Sequence, residues 1–204
     1  MRKTLVLIAC LVIAAPAWAD DVPKMTKEEA TEYLRENGNL SLDPSNLVLP
    51  IMNGDPELLE ALLSAGVDVN DPEMIKPALR LAAQSCAGGR VETDTILTVI
   101  EVLLAHGAKP NDPSDKELSA LMGAVQQCPR PVILRLVKAG ADMKFRSSLG
   151  YTPLSMAFIV QKLDAAEALI DSGARLSAEA VAKLKDKHTD DARYQALLKK
   201  AAAK

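Results

Sequence analysis

One ending recurs four times along this chain, and it constrains the fold more than any other feature. A pair of large apolar residues, two further residues, a glycine and a small apolar residue appear as Leu62-Leu63-Ser64-Ala65-Gly66-Val67 and Leu103-Leu104-Ala105-His106-Gly107-Ala108. They appear again as Leu136-Val137-Lys138-Ala139-Gly140-Ala141 and, ahead of Leu176, as Leu169-Ile170-Asp171-Ser172-Gly173-Ala174. The glycines are separated by 41, 33 and 33 residues. A glycine after an apolar-periodic segment supplies the left-handed residue on which a helix terminates. Four such endings in phase describe one helical unit copied along the chain. A unit that short cannot bury its apolar face alone, so the copies must stack on one another.

The starts of the units recur as well. Thr152-Pro153-Leu154-Ser155-Met156-Ala157 lies 33 residues after Ser119-Ala120-Leu121-Met122-Gly123-Ala124, and Pro77-Ala78-Leu79-Arg80-Leu81-Ala82 is a further version. These hexamers and the 33-residue interval resemble the ankyrin repeat, whose signature is T-P-L-H-x-A. The resemblance implies an all-α ankyrin-repeat solenoid of about four helix-turn-helix repeats with N- and C-terminal capping helices. The units fall at about 43–70, 71–109, 110–144 and 145–176. Residues 20–42 precede them as a capping helix, and 177–204 follow as capping helices and a frayed tail from Lys199 onward.

The sequence departs from the family pattern at four places. Pro50 stands where the first inner helix has its alanine and should kink or shorten it. Residues 87–94 are an insertion, either loop decoration or a private contact, after which Thr93 or Asp94 caps an outer helix starting at Thr95. Glu117 replaces a turn glycine, and Ser155 replaces the family histidine, so part of that side chain's hydrogen bonding must be remade. At the chain start, Thr26-Lys27-Glu28-Glu29 is a capping box, and Asn37-Gly38 end its helix. Near the other end, Ser177 opens a short helix, and Thr189-Asp190-Asp191 cap a last one carrying Ala192, Leu197 and Leu198.

Residues 1–19 read as a secretory leader. Arg2 and Lys3 are its charged region, Leu5–Ala15 its apolar run, and Ala17-Trp18-Ala19 its cleavage site. Leu7-Ile8-Ala9-Cys10 resembles a lipoprotein box, but cleavage there would leave almost no apolar run ahead of it. The chain is expected to be exported to the periplasm, with no membrane span. Losing the leader removes two of 24 basic groups and no acid, which takes the net charge from −3 to −5. That balance lacks the clustered basic face of a nucleic-acid binder. With Trp18 gone, two Phe and three Tyr remain, so the core is expected to be Leu, Ala, Val and Ile.

Cys86 and Cys128 are the cysteines beyond the leader, each four residues after its unit's inner-helix alanine. Export and an even count favour a disulfide. Against it, stacked helices lie about 8–10 Å apart, whereas a bridge needs Cα atoms within about 4.4–6.8 Å. Helix ends can bend inward, and the insertion and Pro129 mark both ends as irregular. The pair is therefore read as a bridge in preference to two small buried thiols. His106 and His188 lack metal-ligand spacing, and His106 at a helix end suits the dipole. No nucleophile elbow, phosphate loop or Cys–His pair is present, so no enzymatic activity and no cofactor are expected.

The family resemblance implies binding of another protein through fingertip turns and the concave face of the inner helices. Carried onto this sequence, the fingers present Leu118, Phe145, Arg146, Ser148, Leu149 and Tyr151, and the concave face presents Gln126, Gln127, Ile159 and Val160. An aromatic, an arginine and a tyrosine on one rim match the composition of binding hot spots. The alternative is that Phe145 and Leu149 pack against each other within the finger. A Phe145→Ala, Tyr151→Ala double variant is expected to lose partner binding and keep its fold. The chain is expected to be monomeric when free. The resemblance implies one of two roles: an immunity or inhibitor protein for a secreted or envelope toxin or enzyme, or a scaffold or protector of a periplasmic stress enzyme.

Overall fold

The computed structural model describes residues 24–38, 40–114 and 117–202. The expected leader lies outside them, as do residues 115–116 and the last two residues, Ala203 and Lys204. Among the described residues the chain is all-α, with no strand. The helices are α1 (Lys27–Glu36), α2 (Val48–Asn53), α3 (Pro56–Ala65), α4 (Ala78–Ser85), α5 (Thr93–Ala105) and α6 (Ala120–Gln127). They continue as α7 (Arg130–Lys138), α8 (Pro153–Ile159), α9 (Leu163–Asp171), α10 (Ala178–Leu184) and α11 (Ala192–Ala202), with single 3-10 turns at Pro44–Leu47 and Ala87–Gly89. Among the described residues no helix is long and apolar enough to cross a membrane.

Packing follows two series. In one, α2 lies on α4, α4 on α6 and α6 on α8; in the other, α3 lies on α5, α5 on α7 and α7 on α9. Each member of the first series also packs on its successor in the chain. At one end α1 covers α3, its capping box formed by Thr26 and Glu29. At the other, α11 covers α9 and α10 touches α8.

The four glycine endings have one geometry. Gly66, Gly107, Gly140 and Gly173 all have positive φ. The next residue in each case donates its N–H to the leucine carbonyl five positions back: Val67 to Leu62 (3.1 Å), Ala108 to Leu103 (2.9 Å), Ala141 to Leu136 (3.0 Å) and Ala174 to Leu169 (2.9 Å). This bond satisfies a helix-end carbonyl that has no partner within its helix. Helix α2, which holds Pro50, is short. Pro50 sits in the first turn of the six-residue α2, where a missing N–H leaves no bond unmade.

The structure corrects several expectations. Helix α5 begins at Thr93, two residues early, and neither Thr93 nor Asp94 caps it; its N-cap is Glu92, with no side-chain bond. The insertion does more than decorate. Val91 packs on the core and faces the α2–α3 turn, where a Cβ on Gly54 (φ +71°) would come within 2.5 Å of Val91 Cγ1. Only glycine suits that turn on both counts. Ser155 makes its hydrogen bonds locally, accepting from Thr152 N (2.8 Å) and donating to Thr152 O (3.0 Å). The core is not purely aliphatic, since its two largest fully buried side chains are Tyr194 and Phe158.

The tail is ordered further than expected. Lys199 and Lys200 belong to α11, Ala201 is fully buried, and its carbonyl accepts from Leu176 N at 3.1 Å. Asp171 ties this helix to α7 and α9, accepting from Lys200 Nζ (2.7 Å) and Arg130 Nη2 (3.2 Å). Those two hydrogen bonds hold its carboxyl below the ordinary 3.8. A depressed carboxyl contributes stability above its unfolded value and loses it as pH falls through the folded one. Urea unfolding should therefore show a smaller drop between pH 5 and pH 2 for Asp171→Asn than for the native chain. An equal drop would remove Asp171 from the acid response.

Cys86 and Cys128 are joined, with 5.0 Å between Cα atoms. The facing surfaces explain how helix ends come so close. Helix α4 packs on α6, Ala82, Ala83, Ala120, Gly123 and Ala124 of the two helices are buried, and a Cβ on Gly123 would lie only 3.5 Å from that of Ala83. Small side chains let the backbones approach within bridging reach.

Candidate binding surface

The 145–151 turn is held by its own backbone. Ser147 N donates to Tyr151 O (2.9 Å), Gly150 N to Ser147 O (2.8 Å), and Phe145 N to Asp142 O (3.2 Å). Gly150 takes φ +79°, and Tyr151 N donates to Ser147 Oγ at 3.2 Å. So fixed, the turn holds Leu149 out at 78% exposure, which excludes its packing on Phe145. An ordered turn presenting a bare leucine loses little entropy on binding.

Four expected residues come together. Arg146, Leu149 and Tyr151 of the turn and Ile159 at the end of α8 line a groove of about 240 Å³. Its other wall is α10, which contributes Glu179, Ala180, Lys183 and Leu184. Lys183 pairs with Glu179 at 2.6 Å one turn away, which holds the Glu179 carboxyl below its ordinary value and lifts the Lys183 amine.

The remaining expected residues do not line this groove. Ser148 is exposed on the same turn, while Phe145 is half-buried to one side of it. Val160 caps α8 and is 38% exposed. Leu118 and Gln126 are half-buried, Gln127 is exposed, and the Leu118 carbonyl accepts from Arg80 at 3.5 Å. The sequence marked α10 as a helix through Ser177 but gave no sign that it walls the groove. Nor did it mark Ile75, 82% exposed in the 70–77 loop.

His106 stands at the C-terminal end of α5, as expected, and has a side-chain partner there as well. Its Nε2 lies 2.9 Å from Oε2 of Glu60, which is only 4% exposed. Glu60 Oε1 accepts from Ser64 Oγ (2.8 Å) and Met25 N (3.2 Å), so one buried carboxylate joins α3, α5 and the lead-in to α1. A buried acid is tolerated because its oxygens are partnered in this way. Among the described residues no three His, Cys, Asp or Glu side chains converge where a metal ion could sit. Compared with protein-family models and with curated proteins, the chain matches none.

Proposed function

We propose that this chain is an exported ankyrin-repeat protein that binds another protein and catalyses no reaction of its own. The observation that carries the reading is the hydrogen-bonded turn that holds Leu149 bare beside a groove shared by Arg146, Tyr151 and Ile159. An anchor of this kind, apolar with an arginine and a tyrosine beside it, has hot-spot composition. The four identical glycine endings and the two packing series support the repeat fold. The Cys86–Cys128 bridge supports export to an oxidising compartment.

The test is affinity capture from host envelope extract by the oxidised protein, with bound proteins identified by mass spectrometry. A stoichiometric toxin or hydrolase makes the chain an inhibitor or immunity protein; a resident envelope enzyme makes it a scaffold or protector. Leu149→Asp with Tyr151→Ala should lose the captured partner at unchanged helical circular dichroism. Recovery of no partner by the native protein overturns the proposal.

A further inference from the structure

Four residues after the glycines that end α3 and α5 stand Asn70 and Asn111, and each ties its loop to the next. Asn70 Nδ2 donates to Gly107 O (2.9 Å) while its Oδ1 accepts from Lys109 N (3.1 Å). Asn111 repeats both bonds, to Gly140 O (2.8 Å) and from Asp142 N (2.7 Å). The corresponding place after Gly140 is Lys144. An ammonium donates but cannot accept, so the second bond of the pair cannot form. A gap of about 770 Å³ lies between residues 140–146 and 173–175.

That gap is cationic. Lys144, Arg146 and Arg175 line it with one carboxylate, Asp142, whose Oδ1 already accepts from Lys144 N at 2.8 Å. Arg175 Nη1 is engaged by the carbonyls of Ile170 and Ala174, and Arg146 Nη1 by Gly150 O. Among the described residues no carboxylate forms a salt bridge with any of the three. Glu179, which lines the apolar groove and feels the charge of Arg146, is already bonded to Lys183. The patch is thus opposite in sign to the chain as a whole, which carries −3. Arg146 borders both this gap and the apolar groove, so a cationic site and an apolar one lie side by side.

We propose that this double site takes an extended segment of a different protein in which one apolar side chain is flanked by carboxylates. The inference rests on the protein-binding reading above and names the partner's chemistry. The apolar side chain enters the groove against Leu149, Tyr151 and Ile159, and the carboxylates meet Arg146 and Lys144. Charge complementarity selects acidic segments, and Arg can grip a carboxylate with two parallel bonds. At about 240 Å³ the groove is smaller than the roughly 300–1,000 Å³ that encloses a small-molecule ligand, and it suits a side chain.

The test uses a random peptide library displayed on phage, selected on the protein expressed from its full coding sequence with the bridge intact. Selected peptides should share an apolar residue beside Asp or Glu. Arg146→Glu and Lys144→Glu should each weaken the best peptide about tenfold or more, the scale of a hot-spot contact. Replacing the peptide's acids by Lys should restore binding to the Arg146→Glu protein, and added salt should weaken the native pair. Absence of enrichment, peptides without that pattern, or indifference to both substitutions overturns the site. A dimer in sedimentation that Arg146→Glu dissociates assigns the surface to a second copy and overturns it too. An envelope partner captured equally by native and Arg146→Glu protein defeats this inference alone; no captured partner defeats the protein-binding reading.

Discussion

Removing the Cys86–Cys128 bridge, as Cys86→Ala with Cys128→Ala, should lower unfolding free energy by about 4 kcal/mol. The bridge spans 42 residues of sequence. Chain-entropy reasoning gives about 3 kcal/mol for a 15-residue loop and about 4.7 for 100 residues, so this loop falls between them. The native helices should move little, because α4 and α6 are already brought together by their alanine and glycine faces. The effect should therefore fall on the unfolded chain, with the midpoint of urea unfolding reduced and circular dichroism unchanged. A loss under about 1 kcal/mol would mean that the unfolded chain keeps these ends together without the bond. Beyond stability, the bridge fixes the start of the 87–92 segment, whose Val91 packs at the Gly54 turn. Hydrogen exchange in the double variant should accelerate there first.

Phe158→Ala should cost about 3–5 kcal/mol, the range for truncating a buried phenylalanine. Phe158 and Tyr194 are both fully buried, with ring centroids 5.1 Å apart and planes at 82°. Edge-to-face packing of this kind adds to the apolar area that the pair removes from water. The rings join α8 to α11. Tyr194 also meets the His188 ring at 5.1 Å, and its hydroxyl donates to Leu184 O at 3.4 Å. Losing Phe158 therefore loosens both closing helices, and α10 carries one wall of the groove. Stability and peptide binding should fall together, measured by urea unfolding and by anisotropy of the selected peptide. Tyr194→Phe keeps the ring and loses one long hydrogen bond, so it should cost less than about 1.5 kcal/mol. If Phe158→Ala cost no more than that, the rings would not be what holds the closing helices.

What the sequence determined by itself was local. Each Gly-terminated ending, the capping box at Thr26 and the N-caps at Ser119, Thr152 and Ser177 are set by backbone chemistry within a few residues. Such signals survive in one dimension because donor and acceptor are close in the chain. Even the Cys86–Cys128 pair was legible, because each cysteine lies four residues after its helix's alanine, Ala82 or Ala124, and α4 packs on α6. The errors came where distant segments meet. Val91 against Gly54 turned an insertion into packing, and Ala201 bonded to Leu176 ordered a tail expected to fray. Glu60 and His106, 46 residues apart, gave no sign of pairing. On the candidate surface, residue type alone ranked Phe145 with Leu149, whereas tertiary structure left Leu149 bare and half-buried Phe145. It also set α10 opposite the turn, which no periodicity encodes. Helix ends are decided by bonds within a turn of chain; exposure and grooves are decided by which other segments arrive, and only the folded packing specifies that.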